Sequence, residues 1–505
     1  MTVSKIFKTE DLIKTISGTK KKIGLCHGVF DLLHLGHINH FNEAKKICDI
    51  LIVSVTEDKY VSKGPGRPAF NQKQRMEALS NLLSVDFVVL SAHESAVQII
   101  NKVKPNFYFK GPDYKYSKDD VTQKIIYEKK AVIKNKGKFF VTKSKKFSSS
   151  SLINKQFGIF TKNQEATINN IKKRFTIGQI KQIVNEFKSI IPTVVGEIII
   201  DEYIFCEALG KSGKEPVLVL KDSYTEKYLG GAGAISNHVS QFCDKQNLLS
   251  VIGQKKEHLS FIKKNLPRNI SYYFLSKFNS TTVVKRRFVD EISKSKVLGV
   301  YSLNDELVSE KQEDKLKNNY TKLSKKSNLT ILSDYGHGMI SQNFRKNLIG
   351  KSKFISVNVQ VNAANVGYHT LKNYHSIDFM IINEIEIRHE MRSKESKIEI
   401  LMKKLSKNQK IRYLVVTRGA SGSILYYKQK NKFYYIDAFS KTAIDKVGAG
   451  DAMLSIMSIC LYKKIDLNLS LLISSLAASQ SVNTIGNKKP ISKNLLLKEL
   501  EHILS

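Results

Sequence analysis

Residues 25–37 read LCHGVFDLLHLGH, and this stretch predicts how the first part of the chain folds. The segment 21–25 just before it predicts a short strand, and residues 38–47 predict a helix with its charges on one face. The motif therefore lies at a turn from strand to helix, where Gly28 lets the backbone approach a ligand closely. The N–H groups at a helix N-terminus suit a phosphate.

His34 and His37 are three residues apart at the start of the predicted helix, so they can share one face. Two imidazoles above a phosphate can donate hydrogen bonds to oxygens that gain charge when the α-phosphorus is attacked. The pattern indicates nucleotidyl transfer. A bare pair of histidines capping an ordinary helix is the alternative, and the strand–turn–helix context argues against it.

Predicted strands and helices continue to alternate downstream. Strands are predicted at residues 50–55, 85–90 and 107–110, and helices at residues 72–82 and 97–103. This alternation favours a parallel sheet with a ligand crevice at the carboxyl ends of its strands.

The string FDxxHxGH, at residues 30–37, resembles the signature of the cytidylyltransferase-like nucleotidyltransferases. The later strings KGxxRP, QR and KGxDY resemble the nucleotidyltransferase half of the bifunctional heptose-phosphate kinase/nucleotidyltransferases, which make nucleotide-activated heptose for bacterial surface polysaccharides. The resemblance implies a Rossmann-like domain. The catalytic residues that it implies are His34 and His37, and the nucleotide-binding residues are Gly28, Phe30, Asp31, Lys63, Arg75, Lys110, Ser148, Ser149 and Ser150. Taken singly, each lysine or arginine is equally an ordinary solvated charge, and the serines are equally an ordinary turn.

The second part of the chain carries the string DKVGAGDA at residues 445–452. Gly448 and Gly450 free the backbone to aim N–H groups at a phosphate, at the start of a predicted helix. Asp451 follows directly, and a carboxylate there can accept the proton of a sugar hydroxyl that attacks a γ-phosphate.

Together with polar strand ends at residues 331–338 and 381–386 and glycine turns at 229–234 and 417–422, this string resembles the ribokinase/PfkB carbohydrate kinases. The resemblance implies a ribokinase-like α/β domain, with Asp451 as the catalytic base. The implied ATP and anion-hole residues are Asn383, Glu386, Thr417, Gly419, Gly422, Gly448, Ala449 and Gly450, and the implied sugar-binding residues are Asp201, Gly230 and Gly231. It also implies Mg²⁺ that arrives on the nucleotide, with no direct protein ligand.

The sequence departs from the family pattern at three points. Ala234 stands near the position where an Asn is usual, and residues 357–362 read VNVQVN where a DPK-like string is expected. The kinase half also follows the nucleotidyltransferase half, whereas the familiar bifunctional enzyme has the kinase first. The first two departures bear on the sugar more than on phosphoryl transfer.

The length of 505 residues suits two or three domains. We expect an α/β protein with a nucleotidyltransferase domain at 1–157, a linker and lead-in helix at 158–190, and a kinase domain at 191–505. The formal net charge of +37 comes mostly from lysines scattered along the chain, which is typical of composition drift rather than of a nucleic-acid patch. Five distant cysteines without a CxxC pair, no apolar leader and no run of about 20 apolar residues favour a cytoplasmic protein.

These features predict a bifunctional sugar-activating enzyme. One half phosphorylates the anomeric hydroxyl of a sugar, such as D-glycero-D-manno-heptose 7-phosphate, with Mg-ATP, and the other joins a sugar 1-phosphate to ATP or CTP. Its partners are sugar phosphates and nucleoside triphosphates, without nucleic acid or membrane, in a homo-oligomer such as a dimer. A CDP-linked product, another sugar or polyol, an RNA-binding protein, or a scaffold with one inactive half are the alternatives.

Overall fold

The computed structural model describes residues 4–61, 67–93, 95–112, 124–143, 160–361, 365, 369–440 and 443–504. Contacts divide the chain into two compact units, one of residues 1–161 with 494–505 and the other of residues 162–493. Within the described ranges, none of the helices combines the length and the apolar character that a membrane span requires.

The first unit is built on one sheet of six parallel strands, in the order β1-β4-β3-β2-β5-β6. The strands are β1 (Ile6–Phe7), β2 (Ile23–Gly28), β3 (Ile50–Thr56), β4 (Phe87–Ser91), β5 (Phe107–Lys110) and β6 (Lys138–Val141). The helices of this part of the chain are Thr9–Ile16, Leu35–Lys45, Gln72–Ser80, Val97–Val103 and Lys124–Lys134. Alternate residues of a strand face opposite sides of the sheet, so Leu25 and Cys26 belong to two different apolar clusters.

The strand order of the first sheet reverses at β2. Strands β3 and β4 follow on one side of β2, and β5 and β6 follow on the other. In an open parallel sheet, ligands bind outside the carboxyl ends of the strands at such a reversal. Gly28 ends β2 and Lys110 ends β5, so two of the predicted site residues meet at this point.

The second unit holds a nine-stranded sheet in the order β11-β10-β7-β14-β15-β16-β17-β18-β19, in which every neighbouring pair is parallel except β17 with β18 and β18 with β19. Its strands are β7 (Pro192–Gly196), β10 (Gln246–Gly253), β11 (Ile270–Lys277), β14 (Leu329–Asp334), β15 (Ile355–Val359), β16 (Phe379–Asn383), β17 (Tyr413–Thr417), β18 (Ser423–Tyr427) and β19 (Lys432–Ile436). A smaller sheet has the order β13-β12-β8-β9. Its strands are β8 (Ile198–Lys211), β9 (Leu218–Gly231), β12 (Val283–Asp290) and β13 (Lys296–Ser302).

The helices of the second unit are Lys162–Arg174, Ile177–Glu186, Ala232–Val239, Leu259–Asn265, Glu310–Ser324, Gln342–Lys351, Glu384–Glu390, Ile398–Gln409, Ala449–Tyr462 and Leu467–Val482. The last helix is Lys493–Leu504, and its residues from 494 onward belong to the first unit. The segment predicted as a linker thus contains two helices, and the first packs on β19, where Thr167 donates a hydrogen bond to the carbonyl of Tyr435 at 3.3 Å.

Candidate active sites

His34 and His37 lie together at the N-terminus of the helix Leu35–Lys45. His34 caps this helix, because its Nδ1 accepts a hydrogen bond from the N–H of Gly36 at 3.1 Å. A neutral imidazole that accepts at Nδ1 carries its proton on Nε2. The ring of His37 stacks on that of His34, with the ring centroids 3.9 Å apart. The structure therefore places the two predicted histidines side by side at a helix N-terminus.

Gly28 and Phe30 shape the turn between β2 and this helix. Phe30 has a positive φ of 51°, and its ring meets that of His37 edge-on at 5.4 Å. A Cβ added at Gly28 would lie 3.0 Å from the Phe30 ring, so a larger residue there would press on the turn. Both residues thus support the histidine pair through the backbone and the aromatic ring.

Asp31 is buried, and its carboxylate is bound by groups of the protein itself. Its carboxylate accepts hydrogen bonds from the N–H groups of Ala69 and Phe70 at 2.9 and 3.0 Å. It also forms an ion pair with Arg67 at 3.5 Å. The nucleotide contact that the resemblance implies for Asp31 stays a prediction, while the observed contacts fix residues 67–70 against the motif.

Arg75 is 1% exposed, and its guanidinium is surrounded by acceptors of its own domain. It donates to the backbone carbonyls of Phe70 at 3.0 Å, Thr56 at 2.8 Å and Val29, and it pairs with Asp58 at 2.5 Å. The phosphate contact implied for Arg75 stays a prediction, while its observed donors hold three backbone segments together. The geometry favours a structural role.

Lys110 is paired as well. Its ammonium lies 3.2 Å from Glu128, and the side chains of the two residues are 9% and 5% exposed. Burial would raise the pKa of Glu128, but Lys110 and the hydrogen bond from Tyr108 hold that pKa below its usual range. Of the remaining predicted residues in this half, Lys63, Ser148, Ser149 and Ser150 lie outside the described residues.

Two histidines that the sequence analysis did not single out are buried near this site. Burial, together with the charge of Lys110, lowers the pKa of His27 to about 3 and that of His40 to about 4. His27 Nδ1 lies 3.2 Å from Ser54 Oγ, and His40 Nδ1 lies 2.8 Å from Thr142 Oγ1. Both rings are therefore neutral, hydrogen-bonded parts of the interior.

In the second unit, Asp451 lies in the first turn of the helix Ala449–Tyr462. Gly448 caps this helix with a φ of 90°, and a Cβ there would lie 2.2 Å from Asn487 Oδ1. Gly448, Ala449 and Gly450 thus open the helix as the phosphate-binding prediction requires. Burial raises the pKa of Asp451 to about 7.

Asp201 lies on β8, close enough to raise the pKa of Asp451 further through its charge. It pairs with Arg287 of β12 at 2.5 Å. The neighbouring strand β9 carries Gly230, where a Cβ would lie 2.3 Å from Asp201 Oδ2, so glycine leaves room for this carboxylate. The next residue, Gly231, has a φ of 56° and caps the helix Ala232–Val239. The predicted sugar-binding residues are therefore gathered beside the predicted base.

Two further side chains complete this cluster, and the sequence analysis gave neither of them a role. Tyr335 donates a hydrogen bond from its hydroxyl to Asp451 Oδ1 at 3.0 Å. The Lys285 ammonium lies over the rings of Tyr301 and Tyr335, at 5.7 and 5.5 Å, and among the described residues it forms no hydrogen bond or ion pair. Burial lowers the pKa of Lys285, and the charge of Asp201 opposes that shift. The signal for Tyr335 was present in the string LSDY, whereas Lys285 stands in a basic run without a motif.

Asn383 and Glu386 form a reciprocal cap. Asn383 Oδ1 accepts from the N–H of Glu386, and Glu386 Oε2 accepts from the N–H of Asn383, both at 2.8 Å. Burial raises the pKa of Glu386 to about 7. Glu386 lines a cavity of about 690 Å³ that basic residues also border.

Thr417 pairs with Asn383 in the sheet, so the carboxyl ends of β16 and β17 bring these two predicted residues together. The turn that follows contains Gly419 and Gly422, with φ values of 56° and 79°. A Cβ at Gly422 would lie 2.0 Å from the carbonyl oxygen of Ile436, so this turn requires glycine.

Asp445 connects the smaller sheet to the loop before Gly448. It accepts hydrogen bonds from the Tyr203 hydroxyl at 2.9 Å and from the N–H groups of Val447 and Gly486 at 3.1 and 3.0 Å. It also pairs with Lys296 of β13 at 2.6 Å. Burial would raise the pKa of Asp445, but Lys296 and the backbone donors hold it below its usual range.

In the part of the chain that the structure describes, no group of three or more His, Cys, Asp or Glu residues is arranged to hold a metal ion.

Comparisons with known proteins match both halves. The description "pfkB family carbohydrate kinase" matches residues 193–494, and "Cytidylyltransferase-like" matches residues 25–156. The chain is 39% identical over 112 residues to the "Bifunctional protein HldE" of Helicobacter pylori strain G27 and 39% identical over 125 residues to that of Aliarcobacter butzleri strain RM4018. These alignments cover 22% and 24% of this chain and 24% and 26% of the relatives, so the chain spans about a quarter of the length of the curated relatives that it matches.

The crystal structure of phosphofructokinase-2 from Escherichia coli in complex with potassium aligns with a TM-score of 0.50 and 14% identity, over 62% of this chain and 99% of that one. This likeness confirms the expected ribokinase-like fold, and the parallel six-stranded sheet agrees with the expected Rossmann-like domain. The pfkB match extends over more than half of the chain. The chain therefore belongs to the pfkB family of carbohydrate kinases, and it carries a cytidylyltransferase-like region ahead of its kinase region.

Proposed function

We propose that this protein is a bifunctional sugar-activating enzyme. Its kinase half phosphorylates the anomeric hydroxyl of a sugar phosphate, with D-glycero-D-manno-heptose 7-phosphate as the first candidate. Its nucleotidyltransferase half joins a sugar 1-phosphate to ATP or CTP, in the service of surface polysaccharide synthesis in the cytoplasm. The observation that carries the proposal is Asp451, a partly buried carboxyl group in the first turn of a glycine-opened helix, with Asp201 beside it.

In the kinase reaction, Asp451 accepts the proton of the acceptor hydroxyl while the oxygen forms its bond to the γ-phosphorus. The bond from that phosphorus to the bridging oxygen breaks, and ADP leaves. The N–H groups opened by Gly448, Ala449 and Gly450 meet the charge of the transferred group. Mg²⁺ on the nucleotide would neutralise further charge, with Asn383 and Glu386 organising its water shell.

The same proposal assigns residues to the binding of ATP and of the sugar. Thr417, Gly419 and Gly422 border the nucleotide at the carboxyl end of β17. Asp201 binds sugar hydroxyls, and the glycines of β9 leave it the space to do so.

In the nucleotidyl reaction, an oxygen of the sugar 1-phosphate attacks the α-phosphorus and pyrophosphate leaves. His34 and His37 donate hydrogen bonds to the phosphate oxygens, assisted by the helix N-terminus on which they lie. Gly28 and Phe30 shape this turn, and Lys110 contributes positive charge at the end of β5. Lys63, Ser148, Ser149, Ser150, Asp31 and Arg75 remain proposed nucleotide-binding residues, and the observed contacts of Asp31 and Arg75 also fix the loop that follows the motif.

A test uses the purified full chain with Mg-ATP and a panel of sugar phosphates, followed by mass spectrometry. The proposal expects a sugar bisphosphate from the wild type and none from Asp451→Asn. The matching sugar 1-phosphate with each nucleoside triphosphate then identifies the second nucleotide. Phosphorylation of a different sugar would overturn the heptose assignment, and no turnover of any sugar would overturn the kinase proposal.

We also propose a homodimer. Apolar side chains of the smaller sheet are exposed on β9 and β13, where Leu218, Leu298 and Val300 have 51%, 54% and 44% of their surface accessible. Contiguous exposed apolar surface is typical of an interface, and we propose that these two edge strands supply it. Light scattering should give twice the chain mass, and Leu298→Lys should reduce it to one chain mass.

A further inference from the structure

Tyr335 follows β14 directly, with 3% of its surface exposed. Its hydroxyl donates a hydrogen bond to Oδ1 of Asp451 at 3.0 Å. Burial, reinforced by the charge of Asp451, raises the pKa of Tyr335 well above its usual value, so the hydroxyl stays protonated at any pH at which the protein works. The group that touches the proposed base is therefore a permanent donor.

We propose that Tyr335 is a positioning residue of the kinase reaction, whose hydroxyl holds Oδ1 of Asp451 so that Oδ2 is directed at the acceptor hydroxyl. This inference rests on the proposed function of Asp451. Two oxygens of one carboxylate lie in one plane, so fixing the first leaves little freedom to the second. Oδ2 then receives the proton as the acceptor oxygen bonds to the γ-phosphorus and ADP leaves.

The position of the Tyr335 hydroxyl is determined by a backbone segment that hydrogen bonds hold in place. The buried carboxylate of Glu197 accepts hydrogen bonds from the N–H groups of Tyr335, His337 and Met339, at 3.2, 3.2 and 3.4 Å. Asn365 donates to the carbonyl oxygen of Tyr335 at 2.9 Å. A segment held at four backbone groups keeps the ring in one place, which is what a positioning role requires.

The charges around Asp451 allow the contribution of Tyr335 to be measured. Burial and the charge of Asp201 raise the pKa of Asp451, while the Tyr335 hydrogen bond and the charge of Lys285 lower it. Loss of the hydroxyl therefore removes one of the two influences that favour the ionised base. The remaining neighbours, Asp201 and Lys285, stay in place.

The experiment compares the wild type with Tyr335→Phe, which keeps the ring and removes the hydroxyl. Tyr320→Phe is the matched control, because Tyr320 is also buried and its hydroxyl is hydrogen-bonded to Thr330 and Ser352. We expect Tyr335→Phe to lower kcat roughly tenfold and to move the acid limb of the kcat/KM profile up by about one pH unit. KM for ATP should not change, and Tyr320→Phe should leave the profile unchanged.

A second measurement does not depend on turnover. In protein labelled with ¹³C at aspartate carboxyl groups, the Asp451 signal is assigned by its absence in Asp451→Asn and titrated in the wild type and in Tyr335→Phe. A midpoint that rises in the variant supports the proposal, and identical midpoints overturn it. A lower kcat with an unmoved midpoint would also overturn it, because general loosening of the fold gives that result. If the wild type phosphorylates no sugar, the proposed function fails, while the titration still decides the role of Tyr335.

Discussion

The two candidate sites differ in how their charged side chains are used. In the first unit, Arg75 and Lys110 are hydrogen-bonded or paired within their own domain. In the second unit, Lys285 is buried beside Asp451 without a hydrogen bond or ion pair among the described residues. A buried charge without a partner costs free energy that a bound anion can offset. The comparison teaches that a buried lysine or arginine near a motif indicates an anionic ligand only when no carboxylate or carbonyl group of the protein already accepts its hydrogen bonds.

The largest expected effect separates the two reactions. Asp451→Asn should lower the kinase rate by roughly 10³-fold, because the proton acceptor is lost, and should leave nucleotidyl transfer unchanged. His34→Ala and His37→Ala should each lower nucleotidyl transfer by roughly 10²-fold and leave the kinase unchanged. Both rates are measured on the same full-length preparations. Loss of both activities in any one variant would contradict the assignment of separate sites.

The next effect tests whether Arg75 is structural. Arg75→Met removes the guanidinium donors to three carbonyl groups, one buried and two partly buried, so the first unit should lose about 3 kcal/mol of unfolding free energy. Urea unfolding followed by amide hydrogen exchange in β3 measures this loss. Lys102→Met removes only an exposed ion pair with Glu10 and should produce no measurable change. A variant of Arg75 that is fully stable but has a raised KM for the nucleotide would restore the phosphate-binding interpretation.

The pH dependence of stability should also differ between the units. His27 and His40 have folded pKa values of about 3 and about 4, below their ordinary value. At acidic pH the unfolded chain binds protons that the buried rings do not bind. The contribution of these histidines to the free energy of unfolding is therefore complete above the unfolded pKa and is lost as the pH falls toward the folded pKa values. The first unit should therefore lose stability on acidification from about pH 6.5 to about pH 5.

In the second unit, Glu197, Glu386 and Asp451 have pKa values of about 7, above their ordinary values. The folded state keeps protons on these three carboxyl groups that the unfolded chain releases. Their contribution to the free energy of unfolding is therefore complete at low pH and is lost as the pH rises to about 7. The second unit should therefore weaken as the pH rises from about 4.5 to about 7, whereas the first unit gains stability over the same range. Hydrogen exchange in the two sheets, corrected for intrinsic exchange, measures both slopes, and parallel slopes would contradict these assignments.

The smallest effect concerns the contact between the smaller sheet and Asp445. Lys296→Met removes a half-exposed ion pair, so we expect a change of about threefold in KM for the sugar with kcat unchanged. Lys227→Met is the matched control, because Lys227 pairs with Glu202 on the same sheet and does not contact Asp445. Equal effects of the two substitutions would assign the change to net charge alone.

Much of the fold was predictable, because buried apolar runs mark strands such as β3 and β5 closely. The helices at Ala232–Val239 and Ala449–Tyr462 begin earlier than the helices that the sequence pattern predicts at residues 235–243 and 453–461. Gly231 and Gly448 adopt positive φ and act as caps, so the glycine turns belong to the helix starts rather than to loops. The helix Lys162–Arg174 was missed because its burial comes from contact with β19, which local periodicity does not reveal.

The positions of Asp451, His34 and His37 could be inferred from motif and context, because helix N-termini make a local signal. The hydrogen-bond partners of Arg75 could not be inferred from the sequence, because they are carbonyl groups of Val29, Thr56 and Phe70, which only the folded chain brings together. Lys285 was not singled out, because nothing in the neighbouring sequence shows that its ammonium is buried without a hydrogen-bond acceptor among the described residues.

Asp445 gives the second unit a further property. One carboxylate joins Tyr203 of β8 and Lys296 of β13 to the loop that precedes the helix of Asp451. A ligand that displaces the smaller sheet must therefore also disturb that loop, and the reverse holds equally. In the proposed kinase reaction, any effect of sugar binding on the affinity for ATP must equal the effect of ATP binding on the affinity for the sugar, by thermodynamic linkage. The shared contacts of Asp445 offer one physical route for such an effect.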